Sequence, residues 1–368
     1  MSLRTAIMLS VAAVLAVAFA AAVWVFSVGL TNYSRQTALA AVETRSNALV
    51  NFVSRALFEE WQRVEQRAAQ ISPLDSPDSV QTAVDSLSTN DEKTSWVGIA
   101  KADGTVAAAS RGLLVGENVA SRPWFNEGLK GSFAGDVHEA VLLARLLNPE
   151  GDDPLRFIDF AAPIRNADGA VWGVLGTHVN WRWVRELVQE AGTELALEVF
   201  IVNAAGTVIL STGPTDEALQ SLAIFRSAAL GSPSTSAETW PDGKTYYAAT
   251  IAERSYETLP PFGWRYIMRL DPQFVFGAAD AFRAQMLFGM ALALLAALLM
   301  LALIVGFFTR PLGLLLDVLL RLARGESVGY HRERTRYREL GTLSEAIARL
   351  QSQPVAPLAD TPRHDAAE

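Results

Sequence analysis

No cysteine occurs anywhere in the 368 residues. That excludes disulfides, thiolate metal sites and cysteine nucleophiles. Histidine is almost as scarce, with four in all: His138, His178, His331 and His364. Nor does the chain hold a GxSxG elbow, a GxxxxGK[ST] phosphate loop, an HExxH zinc signature or a GG[DE]EF motif. Without a nucleophile–base pair or a phosphate cradle, no enzymatic activity is expected.

Charge is missing from two stretches. None lies between Thr5 and Leu30, and none between Met286 and Phe308. Each run is long enough to cross a hydrocarbon core of roughly 30 Å as a helix, at about 1.5 Å per residue. In lipid the backbone must satisfy its own hydrogen bonds, which leaves a helix as the conformation of a lone span. The rival reading of the first run is a cleaved signal peptide ending near Ala18 to Ala22. The apolar run, however, continues through Val23, Trp24, Val25 and Phe26, which favours a retained anchor. After the second run come Arg310, Arg321, Arg324, Arg332, Arg334, Arg336 and Arg338 against Asp317, Glu326 and Glu333. The positive-inside rule places that end in the cytoplasm, beside the Arg4-bearing N-terminus, and the long intervening loop outside the inner membrane. The arginines also suit anionic lipid headgroups, although a topology signal alone accounts for them.

Apolar residues recur at Leu39, Val42, Leu49, Val53, Leu57, Trp61 and Val64, with no Pro or Gly to interrupt them. The spacing predicts one helix over Ser34 to Ser72, a stalk ended by the SPLDSPDS stretch. A repeat follows. IAKADGTVAAAS (Ile99 to Ser110) and FIVNAAGTVILST (Phe200 to Thr212) share a strand, a Gly turn, Thr-Val and a strand. Further strands are predicted at Arg156 to Ile164 and Ala170 to Val179, and again at Thr239 to Ile251 and Gly263 to Leu270. The outer region therefore reads as two α+β modules of about 100 residues each. Between them, Trp181 to Gly192 is expected to be an amphipathic helix ending at its glycine. Beyond the second run, Pro311 is expected to start a helix carrying Leu312, Leu315, Leu319 and Leu322. The same spacing resumes at Leu340, Leu343, Ile347 and Leu350 after a connector with Gly325 and Gly329. Two short apolar seams suggest a four-helix bundle built by a dimer. The tail from Pro354 is Pro- and Ala-rich and is expected to be disordered.

Two spans around a repeated α+β region, with S-R-P-W-F at Ser121 to Phe125, resemble a bacterial double Cache (tandem PAS-like) sensor. GDVHEAVLLARLL and LRFIDFAAPIRNADGAVWGVLGTHVNWRW are similar to Cache domains found ahead of diguanylate cyclases and sensor kinases. Pro311, Gly325 and R-E-L (Arg338 to Leu340) resemble a HAMP relay whose usual motif is D-E-L. The resemblance implies this organisation: residues 1–4 cytoplasmic, 5–30 a first span, 31–72 a stalk, 73–190 a membrane-distal Cache module. Residues 191–282 would then form a membrane-proximal module, 283–308 a second span, 309–351 a HAMP-like relay and 352–368 the tail.

The resemblance also implies a ligand site in the distal module, at Arg122, Trp124 and Phe125, with Asp136, His138, Asp159 and His178 on the opposing strands. Arg122 suits a carboxylate through paired charge-assisted bonds, or a structural salt bridge beside Pro123. Trp124 and Phe125 are pocket walls, or ordinary core. Asp136 and His138 stand two apart and so would share one strand face. Together with His178 they hint at a metal site, but three scattered ligand types without a spacing motif are weak evidence, and no metal or cofactor is expected. His138 and His178 could also titrate near neutrality, although such histidines are more often simply satisfied in place. Relatives that bind amino acids tend to end the motif in Tyr and carry an aspartate where this chain has His178, so unless Asp136 or Asp159 substitutes for that acid, a small organic acid suits the donors better. The expected partners are therefore a small molecule, the membrane, a second copy of the chain, and a separate diguanylate cyclase or histidine kinase, with no nucleic acid. The chain would signal in trans through the relay or control a partner within the membrane. The alternatives are a truncated or split receptor, or an envelope scaffold.

Overall fold

The longest apolar periodicity becomes the longest helix. In the computed structural model, which describes residues 3–72, 76–88, 93–139, 155–326, 328 and 338–352, α1 runs unbroken over Leu3–Gln70. The chain divides into two compact units, Thr31–Ala279 and a second formed by Met1–Leu30 with Asp280–Glu368.

In the first unit, α1 buries Leu49, Val53, Leu57, Trp61, Val64 and Ala68, a stripe at three- and four-residue spacing. Trp61 meets the edge of Phe160 at 5.5 Å, and its indole N–H donates to Thr258 Oγ1 at 3.2 Å. A short helix α2, Pro77–Leu87, follows. Ser76 caps it by accepting from the Ser79 N–H, and Pro77 takes the first turn, where no donor is needed.

Two five-stranded antiparallel sheets come next, with one topology used twice. The first contains β1 (Thr94–Lys101), β2 (Val106–Ala109), β3 (Phe133–Glu139), β4 (Arg156–Arg165) and β5 (Val171–Asn180), in the order β2-β1-β5-β4-β3. The second contains β6 (Glu198–Val202), β7 (Val208–Ser211), β8 (Ser234–Thr239), β9 (Thr245–Ala252) and β10 (Arg265–Leu270), in the order β7-β6-β10-β9-β8. The two repeated sequence segments are the hairpins β1–β2 and β6–β7, which hold equivalent places. Gly104 and Gly169 turn their hairpins at φ of +86°, a conformation a side chain would resist. Helix α3 (Pro123–Gly128) packs on the first sheet, and α4 (Trp181–Glu194) joins the sheets; α5 (Ala223–Ala229) packs on the second.

Strand alternation sorts each sheet into two faces. Val97, Ile99, Ile158, Phe160, Leu175 and, in the second sheet, Val199, Tyr266 and Met268 join the α1 stripe in one continuous core. The other faces build separate clusters, one around Trp96, Trp124 and Phe157 and one around Phe200, Phe225 and Trp240.

Two sequence expectations are corrected. Helix α4 does not stop at Gly192 but continues to Glu194, and the residue in the left-handed region is Ala196 at φ +53°. The helix is closed by a local turn of the Schellman type, with the Leu197 N–H bonding the Gly192 carbonyl at 2.7 Å and the Ala196 N–H the Thr193 carbonyl at 3.1 Å, so Gly192 lies inside the last turn rather than after it.

From Asp280 on, helix α6 (Pro272–Ala323) belongs to the second unit, as does α7 (Arg338–Ser352). Pro311 lies inside α6 rather than at a new start. Proline removes one backbone donor, and the helix continues through it on the bonds of flanking apolar turns. The helices Arg4–Gln70 and Ala281–Ala323 are both long and apolar enough to cross a membrane. Leu315, Ser344 and Ile347 are buried in this unit. The connector arginines Arg332, Arg334 and Arg336, Gly329 and the tail lie outside the described residues.

Candidate functional site

On its outer face, the first sheet closes against α3 around a cavity of about 270 Å³. Pro123 supplies the first turn of α3 and directs Trp124 inward, and Trp124 is buried. Gly176 on β5 lets the indole lie flat on the strand; a Cβ there would stand 2.5 Å from the Trp124 ring. Trp96 faces Trp124 at 5.8 Å and is fixed by its N–H to the Leu113 carbonyl at 3.1 Å. Leu114, at φ +69°, and Val119 complete the apolar wall. A left-handed leucine is strained backbone, held by its surroundings.

The polar side comes from three neighbouring strands. Asp159 on β4 pairs in register with His178 on β5, which in turn pairs with Trp96 on β1. Asp159 and His178 are both buried, with side-chain exposures of 6% and 8%, and His178 Nδ1 bonds the Asp159 Oδ1 carboxylate oxygen. His138 on β3 approaches the other oxygen, its Nε2 3.4 Å from Asp159 Oδ2. The His178 ring is boxed by Trp96 at 5.1 Å, Phe157 at 5.6 Å and Trp124 at 6.3 Å.

Not every residue picked from sequence plays the part expected of it. Arg122, Trp124, Asp136, His138, Asp159 and His178 line the cavity. Phe125 does not; it packs edge-on behind Trp124 at 6.0 Å, because successive helix residues point about 100° apart. The shared face expected for Asp136 and His138 is also corrected. A bulge between Gly135 and His138 sets Gly135 opposite Asp159 and His138 opposite Phe157, one residue more on β3 than on β4. The Asp136 carboxylate therefore turns to other donors: Trp264 Nε1 of the second-sheet half at 2.6 Å and the Val137 N–H at 2.7 Å. The acid between the two imidazoles is Asp159. Trp96, Leu114, Val119 and Phe133 were not singled out from sequence, although the alternation of TSWVGIAK places Trp96 on the outer face with Ala100.

The exposed guanidinium of Arg122 sits at the rim, and among the described residues no ion pair claims it.

The second sheet gives the contrast. Arg269 on β10 pairs with Glu198 on β6, as His178 pairs with Trp96 on the equivalent strands. Its guanidinium is 4% exposed, bonds Glu198 at 2.6 Å, and lies 3.9 Å from the Tyr246 ring centre and 4.4 Å from that of Trp240. Burial, together with the bond to Asp242, pushes the Tyr246 phenol up to about 12. Where the first sheet holds a cavity, the second holds this side chain.

No family model matches the chain, and no curated protein does. Solved structures do. One is an extracellular ligand-binding receptor from Desulfohalobium retbaense DSM5692, at 14% identity and TM-score 0.45 over 60% of this chain, which spans only 39% of that receptor. Another is the ligand-binding domain of the Pseudomonas aeruginosa PAO1 amino acid chemoreceptor PctB in complex with L-Arg, at 14% identity and TM-score 0.46 over 66% of this chain and 92% of that one. A third is the ligand-binding domain of the Pseudomonas fluorescens chemoreceptor CtaA in complex with L-leucine, at 17% identity and TM-score 0.44 over 67% of this chain and 97% of that one.

Proposed function

We propose that the chain is a membrane-anchored sensor of the double Cache (tandem PAS-like) type, whose first α+β module binds a small molecule outside the inner membrane. One observation carries this reading: of two sheets with one topology, the first encloses a cavity lined by aromatic and polar groups, and the second fills the equivalent place with Arg269. A pocket with an apolar wall and a few convergent polar groups is the general form of a ligand site. The cavity suits a compact ligand. Arg122 at the rim and two imidazoles within favour a small organic acid; an amino-acid ammonium would have to compete with His138 and His178 for Asp159, or turn to Asp136, whose Oδ1 already accepts from Trp264 and Val137, or to Glu139.

In this reading the two apolar helices anchor the chain with both termini in the cytoplasm. The helices around Leu315 and Ile347 form a HAMP-like relay in a homodimer, passing the signal to a separate cyclase or kinase. Ligand shifts the relay only through its differential affinity for two packings of the dimer.

The test is thermal unfolding of the full chain in detergent against a panel of small mono-, di- and tricarboxylates. A ligand at a hundred times its Kd stabilises by about 2.7 kcal/mol. At least one acid should raise the melting temperature in wild type and not in Arg122→Ala. Equal stabilisation of both proteins removes the basis for Arg122, and a panel without effect removes the organic-acid reading.

A further inference from the structure

His138, Asp159 and His178 come from three adjacent strands, and one donor atom from each lies within 4.8 Å of the others. We propose that these three side chains bind a divalent transition-metal ion of the zinc class inside the cavity, leaving a coordination position open to it. The inference rests on reading the cavity as the ligand site and names what that site holds.

The charge arrangement comes first. Asp159 is a buried carboxylate whose ion-pair partners, among the described residues, are the two imidazoles and no lysine or arginine. A buried anion needs a cation or several strong donors. Two neutral imidazoles supply donors, and a metal ion held by all three supplies the charge.

Geometry points the same way. Bonds of about 2.0–2.2 Å from zinc to nitrogen and oxygen set neighbouring donors roughly 3.4 Å apart in a tetrahedron. His138 Nε2 and Asp159 Oδ2 already stand 3.4 Å apart. His178 and Asp159 are closer and would part to admit the ion. Two nitrogens and one oxygen suit zinc, cobalt, nickel or copper, whereas magnesium and calcium take oxygen sets. The donors sit on paired strands, which hold positions better than loops. Trp96, Trp124 and Phe157 pack round His178 and keep water from that side. The β3 bulge is what delivers His138, and it is why scattered sequence positions converge.

The experiment uses full-length protein in detergent, stripped with chelator, with His331→Ala and His364→Ala as a background that removes the other histidines. Cobalt(II) is titrated and read by its visible d–d absorption. One equivalent should bind with a saturable band, be displaced by Zn²⁺, and resist Mg²⁺ and Ca²⁺. His138→Gln, at a half-exposed position, should weaken binding at least tenfold with an unchanged metal-free melting temperature, and Asp159→Asn should weaken it too. No saturable band up to 1 mM cobalt, or binding that survives both substitutions, overturns the proposal. If carboxylates still stabilise through Arg122 while cobalt fails to bind, the metal falls alone and the sensor reading stands.

Discussion

Glu253 gives the most quantitative test of how the two sheets are joined. Its carboxylate accepts the Trp264 N–H at 3.0 Å, and its own N–H donates to the Trp264 carbonyl at 3.0 Å. The same tryptophan's indole donates to Asp136. Two acids from different sheets thus converge on one residue. Burial raises the Glu253 carboxyl from 4.5 to about 7; backbone N–H groups at Trp264, Phe262 and Gly263 oppose the rise, and the Asp136 charge adds to it. The native state therefore holds a proton that the unfolded chain releases between about pH 4.5 and 7. This contribution is fully present below the unfolded value and is lost as pH rises through the folded one. At 1.36 kcal/mol per pKa unit, it amounts to about 3 kcal/mol. Glu253→Gln keeps an acceptor for the Trp264 N–H and removes the titration. Urea unfolding of the full chain in detergent, from pH 4.5 to 8.5, should show the variant equal to wild type at the acid end. At the alkaline end it should be more stable by up to about 3 kcal/mol. Because other titrating groups are shared, the difference curve isolates this carboxyl. A difference that stays constant across the range refutes the reasoning.

Other expectations follow from packing. Gly176→Ala sets a methyl 2.5 Å from the rigid Trp124 ring, and overpacking of that kind costs about 1–3 kcal/mol. Denaturant unfolding should show the loss, and a changed tryptophan emission should show that the cavity wall has moved. The Tyr266 hydroxyl is buried with no hydrogen-bond partner among the described residues, and burial pushes its pKa well above the ordinary value. Tyr266→Phe removes an unsatisfied polar atom and should leave stability unchanged or raise it by about 1 kcal/mol in urea unfolding.

Local signals were legible. Uncharged runs, the apolar stripe from Leu39 to Val64, Gly turns between strand-like segments and the repeated hairpin all act between residues close in sequence, and they foretold helices and strands at those places. Trp124 behind Pro123 and the candidates on β4 and β5 were legible through family resemblance, and they do line one cavity. What failed was finer than those signals. Helix geometry turned Phe125 away, the local turn at Ala196 and Leu197 let α4 run on to Glu194, and Pro311 was absorbed into α6.

The amino-acid order by itself determined which segments are helix or strand and that two similar modules follow one another, because periodicity and turn chemistry are local. Only the tertiary structure decided which acid stands between the histidines and which module is open. Counting by twos along β3 gives Asp136, but strand alternation holds only while the ladder is regular, and the bulge opposite β4 passes the role to Asp159. In the same way, nothing around Arg269 in the sequence says that it fills the second sheet. That follows from Glu198, Trp240 and Tyr246 meeting it across strands.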